Sequence, residues 1–242
     1  MASQPLDAAQ LAALAAYDTP TVCNAIELFK VRPQNAGYMD RRIAALYPEL
    51  PPAVGYAATA TFRSAGEPES GRSYGSLDEQ IERFGELPGP AFVVFQDIDS
   101  PAAAATFGEV MCTSYKSFGA VGLITSGAGR DLLQVKPLAF PVFCDGLICS
   151  HGYPAILDVH VPVHVGGLTI RPGDLLHGDA NGVTTIPAEI ASEVAEACAE
   201  IVKAENILLD YCRAGSPTVA GYKEARKALG AALRATTERL RK

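Results

Sequence analysis

The middle of the chain alternates short apolar strands with helices, and this alternation restricts the fold more than any other feature. An apolar run predicts a buried strand over 91–96, and a helix is predicted to follow Glu109 and run to about Phe118. Further short apolar strands are predicted at 121–125 and within 138–144. Strands that alternate with helices in this way are typical of an α/β fold.

A second pattern, from 158 to 187, predicts an all-β layer. Turns are indicated by Gly166-Gly167, by Pro172-Gly173-Asp174 and by the segment 178–182. Turn signals this close together favour short hairpin connections over helical crossovers. The Asp and Asn residues before glycine fit hairpin turns better than calcium ligation, because their spacing does not match an EF-hand loop.

Helical patterns lie on both sides of these segments, together with one Ala- and Thr-rich strand predicted at 55–63. Apolar spacing and capping residues indicate where each helix begins. The predicted helices are 6–17 with Asp7 as its N-cap, a second opened by Thr19-Pro20, 77–84 with Ser76 and Glu79 as a capping box, a long helix from Pro187 to near Gly215, and 222–242.

Composition and charge argue against several classes of protein. The 242 residues carry 20 basic and 27 acidic side chains, a net charge of −7, which argues against a nucleic-acid binder. No apolar run reaches the roughly 18 residues of a membrane span, and the first residues do not resemble a signal peptide, so we expect a cytoplasmic location. The six cysteines form no CxxC pair and match no zinc template, so we expect buried free thiols.

The sharpest local feature is the glycine-rich segment Ser126-Gly127-Ala128-Gly129-Arg130-Asp131, which directly follows a predicted strand. Its glycines permit a tight turn with room for a ligand. Arg130 offers a planar two-pronged donor for a carboxylate, and Asp131 offers a hard oxygen ligand suited to Mg²⁺ or Mn²⁺. The competing interpretation is a surface Arg–Asp pair that caps the next short helix.

A second candidate is the helix start at Phe107-Gly108-Glu109-Val110-Met111. A glycine before a helix exposes free backbone N–H groups, which suit an anion. Glu109 in the first turn interacts favourably with the helix dipole and offers a carboxylate to a metal-bound water. The alternative is an ordinary helix start with an acidic first turn.

Taken together, these segments resemble the RraA-like family, which includes the 4-hydroxy-4-methyl-2-oxoglutarate aldolases and the RNase E activity inhibitors. The resemblance covers roughly residues 19–215 and rests on the order and spacing of several motifs. These motifs are TPTVCNAI from Thr19, GEVM from Gly108, GLITSGAGRD ending at Asp131, VPVHVGGLTIRPGDLLHGDANGV from Val161, and the long helix with Glu205.

The resemblance implies a three-layer β/β/α fold of the swivelling-domain type, with flanking N- and C-terminal helices. It implies one domain over 1–242, with a core at about 19–215 and a helical tail at 216–242. The family usually assembles as homotrimers or hexamers, and in its aldolases the active site lies between subunits. We therefore expect a small-molecule 2-oxo acid and further copies of this chain as partners, and neither nucleic acid nor membrane.

The resemblance also implies roles for individual residues. Asp131 would bind a divalent metal ion, Mg²⁺ or Mn²⁺, and Arg130 would clamp the carboxylate or carbonyl oxygen of the substrate. Glu109 stands where the family's aldolases carry an Asp that orients metal-bound waters, and Glu205 would reach the metal through water from the adjacent subunit. The backbone N–H groups that would hold the pyruvyl carboxylate are those of Gly108, Glu109, Val110 and Met111.

The implied activity is a metal-dependent aldolase, a lyase that cleaves a small 4-hydroxy-2-oxo acid to release pyruvate. The same stabilised enolate would also allow oxaloacetate decarboxylation. Two alternatives stay open: a non-catalytic regulator resembling the RNase E activity inhibitors, and a related lyase for a different oxo or sugar acid. Four positions depart from the family pattern by losing or moving a carboxylate: Asn24, Glu109, Ser126 and Asn181.

Overall fold

Helices and strands alternate along the chain, and the computed structural model describes them over residues 4–67 and 77–240. The helices are α1 (Ala8–Ala15), α2 (Thr19–Phe29), α3 (Leu77–Glu82), α4 (Glu109–Ser117), α5 (Leu132–Val135), α6 (Ala191–Arg213) and α7 (Val219–Leu240). The strands are β1 (Ala44–Ala45), β2 (Ala53–Arg63), β3 (Ala91–Asp97), β4 (Ala105–Phe107), β5 (Gly122–Thr125), β6 (Ala128–Gly129), β7 (Val142–Cys144), β8 (Ala155–Val159), β9 (Val163–Val165), β10 (Leu168–Ile170), β11 (Leu175–Asp179) and β12 (Gly182–Ile186).

The largest sheet has the strand order β1-β7-β5-β3-β2-β11-β12, and β8 also pairs with β2. The strands β2, β3, β5 and β7 are mutually parallel, whereas β1, β8, β11 and β12 pair antiparallel. The central strand β2 is buried on both faces, and its Ala57, Ala58 and Ala60 are fully inaccessible. Small side chains there let layers approach the sheet from both sides, which explains the Ala-rich sequence of this strand.

The two faces of this sheet are covered by different layers. On one face, the helices α3 and α4 pack beside β2 and β3, and α1, α2 and α6 pack nearer β11 and β12. The β9–β10 hairpin covers the opposite face, where Val163, Val165 and Ile170 contact Phe92 and Val94. This hairpin–sheet–helix order confirms the predicted β/β/α fold class.

Most predicted helix boundaries agree with the structure. Asp7 caps α1 through a capping box with Gln10, and Pro20 lies in the first turn of α2, as predicted. The start of the long helix α6 was predicted too early, because Pro187 and the next three residues form a turn closed by a hydrogen bond from Ile190 N to Pro187 O. The predicted capping residue Ser76 lies outside the described residues.

Burial of the cysteines agrees with the sequence only in part. All six are free thiols, and Cys112, Cys144 and Cys198 are buried as predicted. The prediction was wrong for Cys149 and Cys212, which are exposed because one lies in the loop after β7 and the other on the outer face of the last turn of α6. No helix in the described part of the chain is long and apolar enough to cross a membrane.

A buried polar network fixes α3 and α4 to the central strand. Gln80 on α3 is fully buried, and its Nε2 donates to the carbonyl oxygen of Ala58 on β2 at 3.0 Å. Its Oε1 accepts a 2.5 Å hydrogen bond from the hydroxyl of Tyr115 on α4. Because buried polar groups are costly to leave unpaired, this network holds the two helices in one relative position.

Candidate active site

Two short strands bring the two sequence motifs together. The strand β4 precedes Gly108, β6 precedes Arg130, and the two pair in parallel with Phe107 opposite Gly129. Arg130 N also donates to the carbonyl oxygen of Phe107 at 3.1 Å. The glycine-rich turn therefore lies directly beside the start of α4.

Asp131 links the glycine-rich turn to α4 through its side chain. Its backbone is left-handed, at φ 59° and ψ 41°, and its Oδ2 accepts a 3.0 Å hydrogen bond from Glu109 N in the first turn of α4. Asp131 also stands at the N-cap position of α5, but its side chain makes no capping bond to that helix. The side chain of Asp131 therefore binds the start of α4 and does not cap α5, in contrast to the alternative interpretation of this residue as a helix cap.

Gly108 is required by the close approach of these two segments. A Cβ atom at this position would lie closer to Asp131 Oδ2 than non-bonded atoms can approach, and 3.1 Å from Arg130 Nε. The backbone of Gly108 is extended, at φ −152°, so any residue could adopt its conformation. The glycine is therefore needed for space around Arg130 and Asp131 and not for backbone freedom.

Arg130 presents a cation with unused hydrogen-bonding capacity. Its Nε atom is buried and has no hydrogen-bond partner among the described residues. The carboxylate of Asp131 lies close to it, but its Oδ2 is 3.8 Å from this Nε, beyond hydrogen-bond distance. The Arg130 side chain is 29% exposed, so an anion from solvent can reach the guanidinium. A buried unpaired N–H of a guanidinium is costly and indicates a site for an anionic ligand.

A cleft of about 460 Å³ opens beside Arg130. Its walls come from α3, from the first two turns of α4 and from the loop after β7. The lining residues are Leu77, Asp78, Gly108, Val110, Met111, Ser114, Arg130 and His151. Of these, Gly108, Val110, Met111 and Arg130 were predicted from the sequence. The others were not, because nothing in their local pattern shows that α3 and the loop at His151 fold onto α4.

The polar groups at this site suit a hard cation with a mostly aqueous shell. Asp131 is hydrogen-bonded to the backbone of Glu109, so two residues with carboxylates are in contact here, and Mg²⁺ is commonly held by one or two carboxylates together with waters. No cluster of three or more His, Cys, Asp or Glu residues arranged for a metal occurs within residues 4–67 and 77–240. A Mg²⁺ or Mn²⁺ ion held here would therefore take one or two carboxylates from this chain and most of its remaining ligands from water.

The backbone amides of the predicted anion site are only partly free. The N–H of Glu109 is already bonded to Asp131. The N–H groups of Val110 and Met111 lie in the first helical turn, where no residue one turn earlier can accept from them. An incoming carboxylate would therefore meet these two amides and Arg130.

The remaining predicted residue, Glu205, lies elsewhere on this protomer. It is half-buried on α6, which packs against α1, α2 and α7. Glu205 is not part of the cleft lining. Its expected role, exercised from a neighbouring subunit, stays a prediction.

Of three departures from the family pattern, two make hydrogen bonds within the fold and one is an exposed helix residue. Asn181 donates to the Asp179 carboxylate within the β11–β12 turn, and Asn24 is an exposed residue of α2. The Ser126 hydroxyl accepts a 2.9 Å hydrogen bond from Asp97 N at the end of β3. None of the three lines the cleft beside Arg130.

Asp97 is a buried carboxylate that the sequence analysis did not single out. It is 8% exposed, and its Oδ2 has no hydrogen-bond partner within the described residues. Its pKa is raised to about 6, chiefly by burial and to a smaller extent by the neighbouring Asp99 carboxylate, while the hydrogen bond from Asp99 N acts in the opposite direction. The sequence could have indicated Asp97 by its position at the carboxyl end of a buried parallel strand, because ligands commonly bind at that end of such strands.

A cysteine nucleophile is not supported at this site. Cys112 on α4 is fully buried, and burial together with the nearby Asp131 carboxylate raises the pKa of its thiol far above the ordinary value. A thiol in that environment stays protonated and unreactive. The chemistry available here is therefore that of Arg130, the two carboxylates and the amides of α4.

Comparison with known proteins agrees with this arrangement. A family model described as RraA-like, Aldolase/RraA, matches residues 19–185. The chain belongs to the RraA-like family. The match contains both the Gly108 helix start and the Arg130-Asp131 turn, and it confirms the resemblance that the sequence motifs indicated.

Individual relatives support the same placement. A protein of Halalkalibacterium halodurans named "Putative 4-hydroxy-4-methyl-2-oxoglutarate aldolase" is 39% identical over 99 residues, which is 40% of this chain and 47% of that protein. The match thus spans about half the length of that relative. Among solved structures, an uncharacterized protein of Pseudomonas syringae pv. tomato superposes with a TM-score of 0.72 at 21% identity, covering 94% of this chain and 97% of that one. RraAS2 of Streptomyces coelicolor, described as an unusual member of the RNase ES inhibitor RraA family, gives a TM-score of 0.65 at 23% identity, covering 83% and 96%. These two structures share the fold.

Proposed function

We propose that this RraA-like protein is a divalent-metal-dependent lyase that cleaves a small 4-hydroxy-2-oxo acid and releases pyruvate. The observation that carries the proposal is the pairing of Arg130 and Asp131 beside the start of α4, with a buried Arg130 Nε that lacks a hydrogen-bond partner among the described residues. The 39% identical relative named as an aldolase supports the same reaction class. A side activity toward oxaloacetate belongs to the proposal, because it needs the same stabilisation of an enolate.

The proposed reaction breaks the C3–C4 bond of the substrate. The C4 hydroxyl loses its proton and becomes a carbonyl, and the electron pair of the broken bond moves to C3 and is delocalised onto the C2 oxygen. Protonation at C3 then yields pyruvate. Negative charge develops on the C2 oxygen, so a donor fixed beside that oxygen accelerates the cleavage.

The residues of the site supply most of these requirements. The amides of Val110 and Met111 would hold the substrate carboxylate, and the Arg130 guanidinium would stabilise the charge on the C2 oxygen. Glu109 is an exposed residue of the first turn of α4, next to the lining residues Gly108 and Val110, and it would orient water or carry the proton that leaves the C4 hydroxyl. Asp131 would hold Mg²⁺ or Mn²⁺, joined through water by Glu205 of an adjacent subunit. When bound, the cation would polarise the oxo and carboxylate oxygens as a Lewis acid.

Pyruvate release, coupled to lactate dehydrogenase, tests this proposal. The substrates are 4-hydroxy-2-oxopentanoate, 4-hydroxy-4-methyl-2-oxoglutarate and oxaloacetate, each with Mg²⁺, with Mn²⁺ and with EDTA. We expect turnover of at least one 4-hydroxy-2-oxo acid that EDTA abolishes and added metal restores. Absence of pyruvate from all three substrates with either metal would overturn the proposal.

A further inference from the structure

The cleft beside Arg130 is a preformed space with fixed walls. One wall is α3 and the other is α4, and the Gln80–Tyr115 hydrogen bond of 2.5 Å joins the two helices beneath it. Both helices also pack on the central sheet. The residues that line the cleft therefore sample a restricted set of positions, and their chemistry can select a substrate.

Charge is distributed unequally along this cleft. Arg130 is its permanent cation, whereas Asp78 on α3 places an exposed carboxylate on the wall. His151 also lines the cleft. Among the described residues that line the cleft, Arg130 is the one permanent cation, so a second carboxylate of a substrate finds no further cation on these residues.

The rest of the wall is apolar. Leu77, Val110 and Met111 line the same cleft as Arg130 and Asp78, and Val110 is 80% exposed. An alkyl tail placed here would cover these side chains, at a gain of about fourfold in affinity for each methylene removed from water. A charged tail would lose its hydration and meet a like charge at Asp78.

We propose that this chain selects 2-oxo acids that carry a single carboxylate and an apolar tail, and that Asp78 is the residue that disfavours dicarboxylates. The inference rests on the proposed function, which places the 2-oxo carboxylate at the amides of α4 and the C2 oxygen at Arg130. It predicts that the preferred substrate is a 4-hydroxy-2-oxo acid with an alkyl group beyond C4, and that a tail ending in a carboxylate binds poorly.

Equilibrium binding separates this inference from the proposed function. Isothermal titration at pH 8 with Mg²⁺ compares 5-methyl-2-oxohexanoate with 2-oxoglutarate, in which a carboxylate replaces the terminal branched alkyl group at nearly the same size. Pyruvate, the common head group, is the third ligand. We expect pyruvate to bind and 5-methyl-2-oxohexanoate to bind at least tenfold more tightly than 2-oxoglutarate.

Variants of α3 test the role of Asp78. Asp78→Asn should reduce the preference for the alkyl tail at least threefold, and Asp78→Lys should reverse it, with pyruvate binding unchanged in both. Glu82→Gln is the matched control, because Glu82 is an exposed carboxylate of the same helix that does not line the cleft. Pyruvate binding combined with equal or tighter binding of 2-oxoglutarate, or a preference that Asp78→Asn leaves unchanged, would overturn this inference alone. Failure of all three ligands to bind would overturn the proposed function and the inference with it.

Discussion

At the scale of single residues, the candidate site depends on close contacts around Gly108 that leave no room for a side chain there. Gly108 separates the start of α4 from Arg130 and Asp131, and a Cβ there would displace the Asp131 carboxylate. Asp131 is held in a left-handed conformation, which costs free energy for a residue other than glycine. Strain of this kind persists where the surrounding structure fixes it, here through the bond to Glu109 N.

The substitution Gly108→Ala should therefore impair catalysis without unfolding the protein. Alanine suits the extended backbone of this position, but its methyl group would push Asp131 and Arg130 aside. We expect kcat/KM for pyruvate release to fall about 100-fold, since a displacement near 1 Å commonly has that effect. The control Gly85→Ala adds a methyl group where no atom lies within 4 Å, and it should keep wild-type activity. Equal activity of the two variants would contradict the assigned role of Gly108.

At the scale of elements, buried hydrogen bonds connect the start of α2 to strand β11 of the sheet. His177 on β11 is fully buried, and its Nδ1 lies 3.0 Å from the hydroxyl of Thr19 at the start of α2. Its Nε2 lies 3.2 Å from the carbonyl oxygen of Leu14, which can only accept, so Nε2 carries the proton and Nδ1 accepts from Thr19. Asp179 adds a 3.0 Å bond to Thr19 N.

This contact predicts a loss of stability in acid. Burial lowers the pKa of His177 below 6.5, so between the two pKa values the unfolded state binds a proton that the folded state does not. The free energy of unfolding should then fall as the pH drops below about 6.5, by at most about 1.4 kcal/mol per pH unit from this group.

The variant His177→Asn isolates the contribution of this histidine. It should be less stable than wild type at pH 7.5 by roughly 1–3 kcal/mol, because it leaves a buried partner unsatisfied. The difference should shrink between pH 7 and pH 5, since the variant has no group to protonate there. Urea unfolding of both proteins at the same protein concentration measures this difference in the free energy of unfolding. A difference that does not change with pH would contradict the role assigned to His177.

The elements also show how far the sequence could lead. Helical periodicity and caps such as Asp7 predicted α1 and α2, and apolar runs predicted β3 and β5, because these signals are local. The pairing of β4 with β6 could not be predicted, since strands of three and two residues carry no periodic pattern. The Asp131–Glu109 hydrogen bond joins residues that are 22 positions apart in the sequence. Only the family resemblance predicted that these two residues belong to one site. The lining by Asp78 and His151 depends on tertiary packing alone.

At the scale of the whole molecule, apolar side chains remain exposed around the site. Val110 on α4 and Leu133 on α5 are each 80% exposed, and the two helices are in contact. Exposed apolar side chains grouped beside a functional site are typical of an interaction surface. In combination with the family, this grouping favours an assembly of identical subunits that covers the site.

Replacing Leu133 by Glu should therefore dissociate the assembly. A charge buried at a subunit interface costs far more than the same charge in water. We expect light scattering to give a trimer or hexamer for wild type and a smaller species for Leu133→Glu, with reduced pyruvate release. The control Val219→Glu changes a 74% exposed side chain at the start of α7 and should leave the assembly unchanged. An unaltered mass for Leu133→Glu, or a monomeric wild type, would contradict this prediction.

The central claim is that Asp131, beside Arg130, holds the metal of a lyase, and the substitution Asp131→Asn tests it most directly. Asparagine tolerates the left-handed backbone, and its side-chain oxygen can still accept from Glu109 N, so the change removes charge and preserves the local structure. Asp210→Asn, which neutralises a 73% exposed carboxylate on α6, is the control.

The measurement is Mn²⁺-dependent pyruvate release by wild type, Asp131→Asn and Asp210→Asn, with unfolding midpoints recorded for all three. We predict that Asp131→Asn loses at least about 100-fold in kcat/KM and the response to added metal, while its midpoint stays near that of wild type. Wild-type turnover by Asp131→Asn, with the same metal dependence, would contradict the account.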